Sequence, residues 1–197
     1  MPRRPFSKIL KTRLTQLENV VLQIAWKIPL VGSWLRAQEL RRVPQGPARV
    51  LFLCAGNICR SAFAEHLARS RCGQSTEWSF ASAGLSARPG TPAPDHAVRV
   101  ARQYGVELED HRSAAVTRDQ LLSMDLIVVM EPHQRRHVLL RDRSVQDRIV
   151  LLGALLDAAV ATPVIWDPYG KSEGRFRHCF HQVEKTVAFL LKADGGR

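Results

Sequence analysis

Six residues within one short stretch, CAGNICRS, have the types and spacing to act on a single group: Cys54, Gly56, Asn57, Cys59, Arg60 and Ser61. The apolar run VLFLC leads in and RSAFAEHLARSRC, which reads as a helix, leads out. A strand that turns through small residues into a helix N-terminus aims several backbone N–H groups at one point, where the helix dipole adds positive potential. That is an anion cradle. Gly56 permits close backbone approach, with Ala55 and Ile58 completing the loop. Arg60 can fold back to give a planar, two-toothed grip on phosphate oxygens. The amide dipoles and the guanidinium would stabilise a Cys54 thiolate and make it a nucleophile. Ser61 can hydrogen-bond that sulfur, and Asn57 can brace the loop through its amide. Taken alone, the same spacing also fits a glycine-containing turn around a buried structural cysteine.

An acid of suitable chemistry lies far along the chain, in WDPYGKS at 166–172. Pro168 fixes the backbone beside Asp167, and Trp166 and Tyr169 can form aromatic walls. A carboxyl there could protonate a leaving oxygen, although an Asp-Pro pair is also an ordinary turn.

Strands and helices that alternate from residue 48 onward must position these groups. Strands are expected at 48–54, 77–84, 125–130 and 147–153, and helices at 60–72, 93–105, 132–142 and 172–193. The order implies an α/β fold with a four-stranded parallel sheet, helices on both faces, doubly wound. In such sheets ligands bind beyond the carboxyl ends of the strands, where CAGNICRS falls.

Residues 1–46 differ in character. They hold nine Lys/Arg and two Asp/Glu, a charge of +7, whereas the other 151 residues hold twenty and sixteen. A basic extension on a near-ordinary domain fits this better than a nucleic-acid-binding fold, so no nucleic-acid partner is expected. Phe6, Leu10, Leu14, Leu17, Val21, Ile24 and Ile28 recur at helical spacing among basic residues. They describe an amphipathic helix that either lies on an anionic membrane or packs on its own domain or a second subunit. RRVPQGPAR at 41–49 reads as a linker, dividing a basic helical extension (1–46) from a catalytic domain (47–197). Lys27, Pro29 and Gly32 break the only window for a transmembrane span, and no signal-peptide cleavage pattern follows the apolar stretch. Four irregularly spaced cysteines favour a reducing compartment. A cytoplasmic protein is expected, with candidate peripheral contact at the inner face of the membrane. Its Cys, His and carboxylate spacings suggest no metal cluster.

Together, CAGNICRS and DPYGKS, with SAGL (82–85), HRSA (111–114) and DLIVVM (125–130), resemble the low-molecular-weight protein-tyrosine phosphatase family from about Val50 to Leu191. The resemblance implies Cys54 as nucleophile, Arg60 as phosphate clamp and Asp167 as general acid and base. It implies that Asn57, Ser61, Ser82 and His111 form the hydrogen-bond network shaping the loop, and that no cofactor is used. It further implies that Cys59 can form a reversible disulfide with Cys54. Bacterial members often act on tyrosine autokinases or polysaccharide-export enzymes, which suggests such a substrate here.

The chain departs from the family at Ala62, where proline is usual, and in SARPG (86–90), which lacks the common rim aromatic. A phosphotyrosine ring would then lean on Tyr169, Leu85 and Ile58. Alternatives on the same scaffold are an arsenate reductase, whose two relay cysteines are missing from 117–133, and a protein-arginine phosphatase, which usually has threonine at the place of Ile58. A non-enzymatic phosphate-binding interaction protein is the remaining alternative. With no catalytic candidate in residues 1–46, their removal is expected to leave turnover of a small phosphate ester nearly unchanged.

Overall fold

The computed structural model describes residues 6–73, 77–157 and 161–192, with side chains from residue 16 onward. Four strands, β1 (Arg49–Cys54), β2 (Ser79–Gly84), β3 (Leu126–Val129) and β4 (Ile149–Leu151), form one parallel sheet in the order β2-β1-β3-β4. β1 pairs with β2 from Arg49↔Ser79 to Cys54↔Gly84, and with β3 from Val50↔Leu126 to Leu53↔Val129. The chain leaves β1 toward one side and returns on the other as β3. The switch point therefore lies between the carboxyl ends of β1 and β3, the crevice in which open α/β sheets bind ligands.

Both sheet faces are covered, as the unbroken apolar runs of β1 and β3 require. Val50 and Phe52 face α3 (Arg60–Cys72), α4 (Asp95–Arg102) and α7 (Glu173–Lys192). There Phe63 of α3 stacks on Phe180 of α7 with ring centroids 3.9 Å apart. Leu51 and Leu53 face the other layer, built from α5 (Arg118–Ser123) and α6 (Pro132–Arg141) together with the N-terminal segment. The α/β sheet, its parallel pairing and its two helical layers are as the sequence implies. Helix α5 is an addition. Thr117 caps it, its hydroxyl accepting the Gln120 N–H at 3.1 Å, a local signal visible in TRDQ. β4 is shorter than its apolar run because 3₁₀ turns at Arg143–Arg148 and Leu152–Leu155 take up both ends.

The N-terminal segment is two helices, not one. α1 (Phe6–Lys27) stops at Ile28, and Pro29 opens α2 (Pro29–Leu40), since a proline at the first helical position sacrifices no hydrogen bond. Gly32 makes the junction possible: a Cβ there would lie 2.0 Å from the Trp26 carbonyl oxygen. The face that docks is not the apolar stripe. Leu17, Val21, Ile24 and Ile28 are exposed, while Asn19 and Trp26 are buried and Leu22 packs against the core beneath the sheet. Phe6, Leu10 and Leu14 lie outside the described side chains. Docking is strongly polar. Glu18 pairs with Arg136 at 2.8 Å, and Glu39, buried on α2, pairs with Arg135 and accepts the Leu151 N–H at 2.9 Å. Arg36 donates to the Leu156 carbonyl at 3.0 Å. Among the described residues no helix is long and apolar enough to cross a membrane.

Candidate active site

Cys54 ends β1, and the chain turns through residues 55–59 to begin α3 at Arg60, the strand–loop–helix arrangement the sequence implies. The loop is anchored against the end of β2, where Leu85 N–H donates to the Cys54 carbonyl and Ser86 N–H to the Ala55 carbonyl, both at 2.9 Å. Gly84 permits this approach: a Cβ on it would meet the Ala55 carbonyl oxygen at 2.9 Å and the Ala87 Cβ at 2.6 Å.

Asn57 is the hub. It is the only described non-glycine residue with positive φ (54°), a conformation asparagine tolerates better than most residues. Its backbone N–H donates to Cys54 Sγ at 3.3 Å, and its carbonyl accepts from His111 Nε2 at 2.7 Å, which places the proton on that nitrogen. Its Nδ2 donates to Ser61 Oγ at 3.0 Å and Ser82 Oγ at 2.8 Å, while Oδ1 accepts the Ala114 N–H at 2.9 Å. The Ser82 hydroxyl donates in turn to Glu65 Oε2 at 2.5 Å. Ser61, already accepting from Asn57, has its hydroxyl proton free for Cys54 Sγ, 3.0 Å away. The donations thus diverge from the Asn57 amide, through Ser82 to the Glu65 carboxylate on one side and through Ser61 to the cysteine sulfur on the other. This network brings together Cys54, Asn57, Ser61, Ser82 and His111. Burial pushes the Cys59 pKa upward and keeps it a thiol, and likewise pushes Cys179, behind the loop on α7, up to about 12.

Arg60 is 1% exposed. Its Nη1 donates to Glu131 Oε1 at 2.6 Å and to the Ile165 carbonyl at 2.8 Å, and its Nη2 pairs with Asp167 Oδ2 at 2.7 Å. Burial alone would lower the Arg60 pKa, but the Asp167 and Glu131 carboxylates override it and raise it, so the guanidinium stays charged. Its Nε is buried without a partner. Nε and Nη2 form one edge of the guanidinium, the edge with which Arg49 grips Asp125 at 2.9 and 2.8 Å. In Arg60 that edge is held only by Asp167, whose side chain is 44% exposed. Asp167 Oδ1 accepts the Tyr169 N–H at 3.2 Å, closing the turn expected of Asp-Pro. The expected turn and the candidate acid are therefore the same structure.

Other expected residues sit differently. Tyr169 is exposed and linked to Asp167 through its backbone; Ile58 is half-buried. Leu85, expected at the rim, is buried in the core under the sheet, and its carbonyl accepts from Arg141 at 2.7 Å. A cavity of about 390 Å³ lies between the 166–171 loop and α7, walled by Asp167, Lys171, Arg175 and His178. Glu131 and Glu65 were not singled out from sequence. A charged residue directly after the most apolar strand is a readable signal for Glu131, because that strand end borders the crevice; nothing local marks Glu65.

Fold and site together define a phosphatase with its anion site at the switch point of a parallel α/β sheet. The family model described as low molecular weight phosphotyrosine protein phosphatase matches residues 49–194, and the chain belongs to that family. It is 36% identical over 144 residues to the probable low molecular weight protein-tyrosine-phosphatase AmsI of Erwinia amylovora, covering 73% of this chain and 95% of the relative. The AmsI crystal structure superposes with a TM-score of 0.68 over 75% of this chain and 93% of that one, at 33% identity. Similarity to Etp of Escherichia coli is 34% over 137 residues, covering 70% of this chain and 88% of the relative. The YwlE arginine phosphatase from Geobacillus stearothermophilus superposes with a TM-score of 0.67 at 25% identity, covering 74% and 92%. The chain is a phosphoric monoester hydrolase of the protein-tyrosine-phosphatase type.

Proposed function

We propose that the protein hydrolyses phosphotyrosine in two steps through Cys54. The observation that carries this is the open edge of Arg60: a buried, permanently charged guanidinium with Nε unpartnered and Nη2 held by an exposed carboxylate, at the mouth of an amide loop headed by a cysteine. An arriving phosphate takes the place of Asp167 on that edge, and Asp167 is released beside the leaving group. Freed from Arg60, Asp167 takes up a proton from solvent; the Cys54 thiolate then attacks phosphorus, the P–S bond forms, the P–O bond to the phenol breaks, and protonated Asp167 supplies the phenolic proton. Ionised Asp167 next takes a proton from water, whose oxygen attacks phosphorus and expels the thiolate, releasing inorganic phosphate. Arg60 and the loop amides stabilise the equatorial oxygens throughout. No step needs a metal. The reacting groups all lie in residues 47–197, on which 1–46 dock as a helical extension.

The test is hydrolysis of phosphotyrosyl and phosphoarginyl peptides in excess chelator. Phosphotyrosine should turn over faster, consistent with Ile58 in the loop; preference for phosphoarginine would transfer the protein to the arginine-phosphatase alternative. The substrate we favour is a tyrosine autokinase or polysaccharide-export enzyme, as the family resemblance suggests, and phosphosite profiling of a deletion strain would identify it.

Two finer readings have support. With peroxide as oxidant, the Cys54 thiolate becomes a sulfenic acid, and the Cys59 thiol condenses with it, releasing water and forming a disulfide that thiols reduce. Incomplete recovery of Cys59→Ser would support this; pairing of Cys54 with Cys72 or Cys179 would overturn it. The second reading is peripheral contact with an anionic membrane. Both acids of residues 1–46, Glu18 and Glu39, are committed to ion pairs with the body, leaving an outward face that carries Leu17, Val21, Ile24, Leu30 and Trp34 together with Lys27. Each basic residue near an anionic bilayer contributes about 1 kcal/mol. Flotation with liposomes should require anionic lipid and weaken with salt; no flotation ends this reading.

A further inference from the structure

Glu131 has two oxygens, and the two bind different parts of the chain. Oε1 accepts from Arg60 Nη1 at 2.6 Å; Oε2 accepts from Asn19 Nδ2 at 3.0 Å. Asn19 belongs to α1, 2% exposed, and lies outside the residues that match the family, 49–194. His133 Nδ1 stands 3.7 Å from the same oxygen, and burial lowers the pKa of its ring, favouring the neutral form. Asn19 is thus the hydrogen-bond donor identified for Oε2. A buried carboxylate oxygen left without a donor is costly and turns toward whatever donor or water it can reach. Rotation of Glu131 would remove one of the two acceptors that fix Nη1, leaving only the Ile165 carbonyl to set the plane in which the Nε–Nη2 edge meets phosphate. Small misplacements of such a clamp are expensive, because its contribution depends on orientation.

We propose that Asn19 is a positioning residue for the phosphate clamp: the N-terminal helix pair completes the active site by holding the second oxygen of Glu131, so that the first holds Arg60 in place. This rests on Arg60 being the clamp. It revises the expectation that residues 1–46 are dispensable for small substrates, since the hydrogen bond acts on the phosphate site itself and not on recognition of a protein partner.

The full-length chain, Asn19→Leu, Glu131→Gln and the double variant are compared for phosphotyrosine hydrolysis and, separately, for affinity toward inorganic phosphate. Asn19→Leu should lower kcat/KM and phosphate affinity by about five- to thirty-fold. Because Asn19 acts through Glu131, the double variant should lose little beyond Glu131→Gln alone. Glu18→Gln, which loosens the neighbouring docking contact with Arg136 without touching Glu131, should lower the melting temperature and leave both constants unchanged. If Asn19→Leu is too unstable to assay, Asn19→Asp keeps the size and can donate to Glu131 only while its carboxyl is protonated, so its loss should deepen as pH rises. Unchanged phosphate affinity in Asn19→Leu, strictly additive losses, or the same kinetic loss in Glu18→Gln would overturn the inference. Failure of the phosphatase reading is distinguishable, because it would appear as absent turnover in the unaltered chain.

Discussion

Around Asn57 every donor and acceptor is engaged within the protein, whereas three residues further on Arg60 keeps one edge of its guanidinium for exchange. The Asn57 amide, carbonyl and side chain bind Cys54, Ser61, Ser82, Ala114 and His111, and this holds a left-handed backbone in place before any ligand arrives. Arg60 is fixed on the other side, through Nη1 to Glu131 and the Ile165 carbonyl, while Nη2 is lent to Asp167 and Nε stays open. The loop is therefore held in one shape, whereas the proposed clamp has an edge on which a partner can be exchanged. On the proposed mechanism, a phosphate would meet a cradle that needs no reorganisation and would displace only one exposed carboxylate.

The comparison can be broken most severely at the sulfur. Cys54→Ser should abolish turnover yet still bind phosphate or vanadate, because loop and clamp remain; phosphotyrosine hydrolysis near the unaltered rate would remove the sulfur from the mechanism. At the exchangeable edge, Asp167→Asn should cost roughly 10²–10⁴-fold with phosphotyrosine and less with a low-pKa phenol, whose leaving oxygen needs little protonation. The same substitution removes the charge that competes for Arg60, so inorganic phosphate should bind more tightly. Equal losses on both substrates would mean that Asp167 is merely a turn residue. At the fixed hub, Asn57→Ala leaves Ser82, Ser61 and the Ala114 N–H short of partners and should lower stability by about 1–3 kcal/mol. Asn57→Gly should recover only the backbone part of that loss; full recovery would reduce the hub to a matter of φ.

A remote pair sets the scale of a surface contact. Hydrogen bonds from Arg49 hold the Asp125 carboxyl at about 2, below the usual aspartate value. A carboxyl lowered on folding stabilises the protein above its unfolded pKa, and that contribution fades as pH falls toward 2. Because the pair is largely exposed and screened, Asp125→Asn should flatten the acid limb by less than about 1 kcal/mol and leave turnover unchanged.

The contiguous half of the site was legible because it is one turn of chain: Cys54, Asn57, Arg60 and Ser61 lie between a strand and a helix, and local geometry decides their use. Asp167 could be proposed from its Pro and aromatic neighbours, but as an acid or as a turn, and it proves to be placed by the turn. Ser82 and His111 carried no signal except through family resemblance, since their role depends on a hub 25 and 54 residues away. The amphipathic stripe of α1 left its covering open for a physical reason. Periodicity identifies an apolar face but not what covers it, and here polar groups, Glu18 and Asn19, choose the docking face while Leu17, Val21 and Ile24 stay in solvent. Pairings such as Asn19 with Glu131, 112 residues apart, are written into no local pattern.

The central claim is that phosphate passes through a covalent bond to Cys54. Asp167→Asn, which slows attack by water, mixed with a phosphorylated low-pKa phenol and quenched in acid within its first turnovers, should show by peptide mass spectrometry one phosphate on the CAGNICRS peptide, at Cys54. It should be absent when Cys54→Ser is treated identically. Burst release of phenol with no phosphate on Cys54, or phosphate on another residue at comparable occupancy, would contradict the account.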